Sequence, residues 1–156
     1  MNPDSVVAYH EAAHAVVAIF LGYPIGKVTI VAEQDCTGAC EVDYGCAYRV
    51  LWGSRSAEDK RDAASVTVGL LAGIAAEIRL TGHYDEHQCS VDTDTAYDLA
   101  REVARREADA YYERALKKAK RIVKSQWYRI GLLASALLER KTLTDEEVYA
   151  VIGLQP

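Results

Sequence analysis

Ala8-Tyr-His-Glu-Ala-Ala-His-Ala-Val-Val-Ala18 is the stretch on which the reading of the whole chain turns. Val7, His10, His14, Val17 and Leu21 recur at helical spacing, which predicts a helix from about Asp4 to Leu21. Asp4 or Ser5 is the expected N-cap, and Gly22 and Pro24 supply the stop. Residues four apart share a helix face, so His10 and His14 can present two imidazoles to one metal ion. Glu11, beside the first of them, is placed to act as a general base towards water. This is the HExxH arrangement of a zinc-dependent peptidase: two ligands and one base. A structural alternative leaves two histidines at a core edge with Glu11 exposed. The small and apolar flanks count against it, because buried ionisable groups are costly unless something satisfies them.

Outward from that helix, the chain reads as one domain spanning residues 1–156, with a normal globular balance of 50% hydrophobic and 26% charged residues. The net charge of −5 argues against nucleic acid as the main partner, which would need a surplus of Lys and Arg. No uninterrupted apolar run approaches the roughly 20 residues of a membrane span, and the N-terminus lacks a signal-peptide pattern. A cytoplasmic location is the expectation. In that setting Cys36, Cys40, Cys46 and Cys89 read as free thiols or ligands rather than disulfides. The first three cluster without the paired spacing of a zinc ribbon.

The expected fold class is mainly α (α+β), with a small β element after the HExxH helix. Lys27 to Val31 is short and β-branched, and Val42, Tyr44, Tyr48 and Val50 suggest one or two more strands between Cys40 and Leu51. Helix returns at Ser56, and one deeply buried helix is expected through Leu80, ended by Gly82. A long helix rich in Ala, Arg, Glu and Lys is expected from about Val91 to Lys124. Two further helices follow, about Tyr128 to Arg140 and Thr144 to Ile152, the second opened by a T-x-x-E capping box. The basic run Arg114 to Lys124 reads as a solvated helix face. Trp52 and Trp127 read as packing residues, as do the tyrosines, though one tyrosine could serve as an oxyanion donor.

A catalytic zinc takes three protein ligands and keeps one position open. No third histidine follows at close spacing. Glu77, His83, Asp85, Glu86, His87, Asp92 and Asp94 are the candidates, and spacing alone does not choose among them. Glu77 lies in an apolar helix, where its charge needs a partner. Asp92, near the start of the long helix, has a plain N-cap as its alternative role.

Five segments, in order, resemble the peptidase domain of the FtsH-type membrane-anchored AAA proteases. They are Ala8 to Ala18, Lys27 to Val31, LLAGIAAEI (Leu70 to Ile78), SVDTDTAYDLAR (Ser90 to Arg101) and ALLERKTLTDEEV (Ala136 to Val148). The resemblance implies that His10, His14 and Asp92 hold Zn2+, that Glu11 is the catalytic base, and that Glu77 orients a ligand histidine. It also implies that Val28, Thr29, Ile30 and Val31 form an edge strand on which an extended polypeptide substrate pairs. The departures are Ala13 and Ile74 where the family has Gly and Arg, and no ATPase or membrane segment within the sequence. The Cys36 to Gly53 stretch has no clear counterpart. These features imply cleavage of flexible or unfolded polypeptides without ATP, alone, by self-association or beside a separate ATPase. The alternative is a latent peptidase-like module that acts by binding a partner protein.

Overall fold

The computed structural model describes residues 2–32, 38–84 and 90–155, the side chains of Cys46, Ala47 and Ser90 excepted. At 75% helix around a three-stranded sheet, the fold is mainly α with a small β element, as the sequence predicts.

Helix α1 (Pro3–Phe20) is the central element. Its cap lies earlier than expected: the Asn2 side chain accepts from the Asp4 amide at 3.2 Å, and Pro3 opens the first turn, where its missing N–H costs nothing. From His10 to Ala18 every residue is buried, so α1 is enclosed rather than half-exposed. Ala8, Ala12, Ala13 and Ala15 keep it thin enough for neighbours to close in on several sides.

Strands β1 (Ile25–Thr29) and β2 (Ala39–Val42) pair antiparallel, and β3 (Thr142–Leu143) adds on the other side of β1, giving the order β2-β1-β3. Val28 therefore faces both Cys40 and Leu143, and Thr29 both Ala39 and Thr142. This corrects the expected edge strand. Val28 and Thr29 lie in the middle of the sheet, and the Ile30 amide donates to the Lys141 carbonyl at 2.9 Å. Ile30 and exposed Val31 lie beyond the end of β1. Two residues between helices carry no periodicity, which is why β3 was not foreseen.

The stretch expected to hold further strands holds β2 alone. Tyr48 and Val50 belong to a 3-10 helix, Gly45–Trp52, closed by Gly53 in the left-handed region. Trp52, expected to pack, is 83% exposed.

The expected single buried helix is two, α2 (Ala57–Leu70) and α3 (Ala72–Thr81), interrupted at Leu71. Together they are long and apolar enough by composition to cross a membrane, yet most of that surface is buried in the core. The expected long helix is also divided, into α4 (Ser90–Ala104) and α5 (Ala108–Ser125) around a 3-10 turn where Arg105 takes a φ of 52°. The Tyr97 hydroxyl donates to the Asp109 carboxylate across that turn. Helices α6 (Trp127–Arg140) and α7 (Asp145–Ile152) follow, and Thr144 and Glu147 form the expected capping box. Trp127 stacks on Tyr9 of α1 at 5.1 Å, with the Arg79 guanidinium over its ring at 4.8 Å, which ties α6 and α3 to the site helix.

Candidate metal centre

His10, Glu11 and His14 sit in the middle of α1, each 7% exposed. Burial on this scale demands partners for the imidazole N–H groups, and both are supplied from α2 and α3. His10 Nδ1 donates to Glu77 Oε1 of α3 at 2.6 Å. His14 Nδ1 donates to the Gly69 carbonyl at 3.0 Å. Gly69 lies in the last turn of α2, where carbonyls run out of following helix to bond.

These two bonds fix the tautomers. A carbonyl can only accept, so His14 carries its proton on Nδ1. An ionised Glu77 imposes the same on His10. Both Nε2 atoms are then lone-pair donors, and they face each other at 3.0 Å. Asp92, in the first turn of α4, brings Oδ2 to 3.1 Å from His14 Nε2 and 3.5 Å from His10 Nε2. Three electron-pair donors thus converge with both imidazole protons turned outward. Three bonds of ~2.0–2.1 Å at tetrahedral angles would place neighbouring donor atoms about 3.3 Å apart, and the observed triangle brackets that spacing. The donor set fits zinc.

Burial by itself would raise the Asp92 carboxyl, but with the imidazoles protonated, their charge and N–H groups, His14 first, hold it well below the usual carboxylate range. Glu11 is shifted the other way: burial raises it above the usual carboxylate value, His14 and His10 oppose this, and Asp92 and Glu77 add to it. A buried carboxylate of raised basicity beside a cation site is suited to taking up a proton. Cys40 of β2 is close enough to feel the site: burial pushes its thiol up, followed by the charges of Glu11 and Asp92. Tyr48 is raised by burial and then by Asp92.

Of the other candidates for third ligand, His83 and Asp94 are exposed and stand outside the cluster formed by His10, His14 and Asp92. Asp85, Glu86 and His87 lie outside the described residues, as do Cys36, Cys89 and the Cys46 side chain. Cys40 is a free, half-buried thiol.

Two contributions were not read from the sequence: the Gly69 carbonyl and the close backbone approach at Gly73. A Cβ at Gly73 would lie 2.4 Å from the His10 ring, so α3 can carry Glu77 to His10 only because position 73 has no side chain. Two glycines four apart in an otherwise good helix were the available signal, since glycine interior to a helix costs stability unless packing needs it.

No protein-family model matches the chain. Among curated proteins it is similar to an ATP-dependent zinc metalloprotease YME1 homolog of Schistosoma mansoni, at 31% identity over 176 aligned positions. The match covers 96% of this chain and 27% of the relative, so the chain spans about a quarter of that protein's length. The alignment is longer than the chain's 156 residues, so the relative carries segments absent here. The comparison supports a distant relationship to the FtsH-type metalloproteases and suggests a protease function with a bound metal.

Proposed function

We propose that this chain is a zinc-dependent endopeptidase that hydrolyses flexible or unfolded polypeptides, with His10, His14 and Asp92 holding the metal and Glu11 acting as general base. The observation that carries the reading is the convergence of His10 Nε2, His14 Nε2 and Asp92 Oδ2 within 3.5 Å, with each imidazole's other nitrogen already committed to Glu77 or Gly69. Two histidines and a carboxylate also suit non-haem iron. The buried base next to the ligands and the similarity to a zinc metalloprotease favour zinc.

Zinc bound there would supply a Lewis acid that polarises the scissile carbonyl and acidifies water. The protein's own groups do the rest. Glu11 takes a proton from the attacking water and returns it to the leaving amine. Glu77 and Gly69 hold the two imidazoles in one tautomer and orientation. With β1 paired on both sides, β2 is the strand on the Glu11 side whose outer edge is unpaired among the described residues, and an extended substrate would pair along it. Hydrolysis of this kind needs no nucleotide, so the chain would accept chains that are already flexible.

The test is cleavage of an unfolded, fluorescently labelled polypeptide by zinc-loaded protein without ATP, wild type beside Glu11→Gln. Cleavage by the wild type alone supports the reading. No cleavage by either, with zinc bound one to one, would support the alternative of a latent module that works by binding.

A further inference from the structure

Gly38, at the entry to β2, lies on the side chain of Glu11. A Cβ built there would stand 2.9 Å from Glu11 Oε1, 3.0 Å from Glu11 Cγ and 2.8 Å from Val7 Cγ1. Real Cβ atoms essentially never approach this closely, so a side chain at position 38 requires something to move. The reason for glycine here is space and not backbone conformation: Gly38 is absent from the positive-φ glycines, which are Gly22, Gly45, Gly53, Gly82 and Gly153. Alanine could adopt the same backbone without strain.

We infer that Gly38 is a positioning residue for Glu11: its bare backbone forms the wall against which the carboxylate rests, and so sets where the base stands relative to the two imidazoles. The inference rests on the peptidase reading above. Three parts could yield to a Cβ at position 38: strand β2, the Val7 side chain and the Glu11 carboxylate. Strand β2 is held by the ladder to β1, with Val28 opposite Cys40 and Thr29 opposite Ala39. The Val7 side chain is branched and stiff at χ1, whereas the Glu11 carboxylate is the far end of a flexible side chain, so the carboxylate is the part that gives. Val7 closes the other side of the same space.

Gly38→Ala is therefore expected to lower kcat by about 10- to 100-fold, the scale of a small misplacement of a reacting group. KM should stay within about threefold and zinc content should remain one per chain, since His10, His14 and Asp92 are untouched. Val7→Ala added to Gly38→Ala opens room for the new methyl away from Glu11 and should recover a large part of kcat, whereas Val7→Ala alone should leave activity near wild type. A role confined to folding would lower thermal stability with no recovery by the second substitution. Crystal structures of wild type and Gly38→Ala decide the matter even if no substrate is cleaved. A displaced Glu11 carboxylate beside an unmoved β2 supports the inference. A shifted β2 beside an unmoved carboxylate, or full activity in Gly38→Ala, overturns it and leaves the peptidase reading intact; inactivity of the wild type overturns that reading alone.

Discussion

Glu77→Gln tests the tautomer lock at the metal centre. Glu77 is 2% exposed, and its Oε1 accepts from His10 Nδ1 at 2.6 Å, a short charge-assisted bond. The carboxylate keeps the His10 proton on Nδ1, raises the basicity of Nε2 and adds negative charge close to the cation. Glutamine keeps the shape and can still accept through its carbonyl, but the charge is gone. Losing an outer partner of a ligating histidine typically costs 10- to 100-fold in metal affinity, or about 1.4–2.8 kcal/mol. The assay is zinc affinity by competition with a chromophoric chelator at neutral pH, wild type beside Glu77→Gln. The expected result is a dissociation constant raised within that range, with the helical circular dichroism spectrum preserved. An affinity within twofold of wild type would refute the lock, and the His10–Glu77 pair would then be packing alone.

Other expectations can be checked with the same protein. Asp92→Ala should abolish stoichiometric zinc by metal analysis; retained zinc would move the third ligand elsewhere. Gly73→Ala drives a methyl into the His10 ring, and overpacking of this kind should cost about 1–3 kcal/mol in chemical denaturation together with weaker zinc binding. Zinc should raise the melting temperature of wild type and raise it far less in His14→Ala, as expected for a ligand that binds only the folded state. In zinc-free protein the Glu11 carboxyl is raised above its usual 4.5, so the folded state holds a proton that the unfolded chain has lost, and stability from this group falls as pH rises through the raised value. Glu11→Gln should thus be more stable than wild type near pH 7 and not near pH 4. Asp92, held below its usual 3.8, acts oppositely: its contribution is present above that pH and is lost as pH falls through the lowered value. Thermal melts of the zinc-free forms across pH read both effects.

The site helix was legible because its information is local: spacing along one helix sets which side chains share a face. The capping box at Thr144 and the stop at Gly82 were legible for the same reason. The breaks at Leu71 and Arg105 were not, because no proline marks either and helix-forming residues run through the second. Both breaks answer to tertiary contacts: α3 closing on His10 at Gly73, and α5 folding back on α4 through Tyr97 and Asp109. The place of β1 in the sheet was misread because β3 is two residues long, and a strand of that length exists only through its partner. Asp92 could not be chosen by spacing among seven candidates. It was singled out by the family resemblance, and the structure brings its carboxylate to the two imidazoles.

Two imidazoles and the Asp92, Glu11 and Glu77 carboxylates meet in and around a largely buried volume, where unpaired charge is expensive. A purely structural cluster would be expected to close on itself, each donor meeting an acceptor. Here each Nδ1 is committed outward, to Glu77 or Gly69, which leaves both Nε2 atoms and Asp92 Oδ2 facing one point, where a cation would balance the carboxylates. A divalent cation held by these three donors would restore the balance. The same cation would offset the burial that now raises Glu11 and keep that carboxylate ionised where a base has to be. On this account Glu11→Gln should still bind zinc one to one in a stoichiometric titration, while losing peptide hydrolysis. Loss of zinc in Glu11→Gln would show that Glu11 helps hold the metal, and its assignment as base would fall.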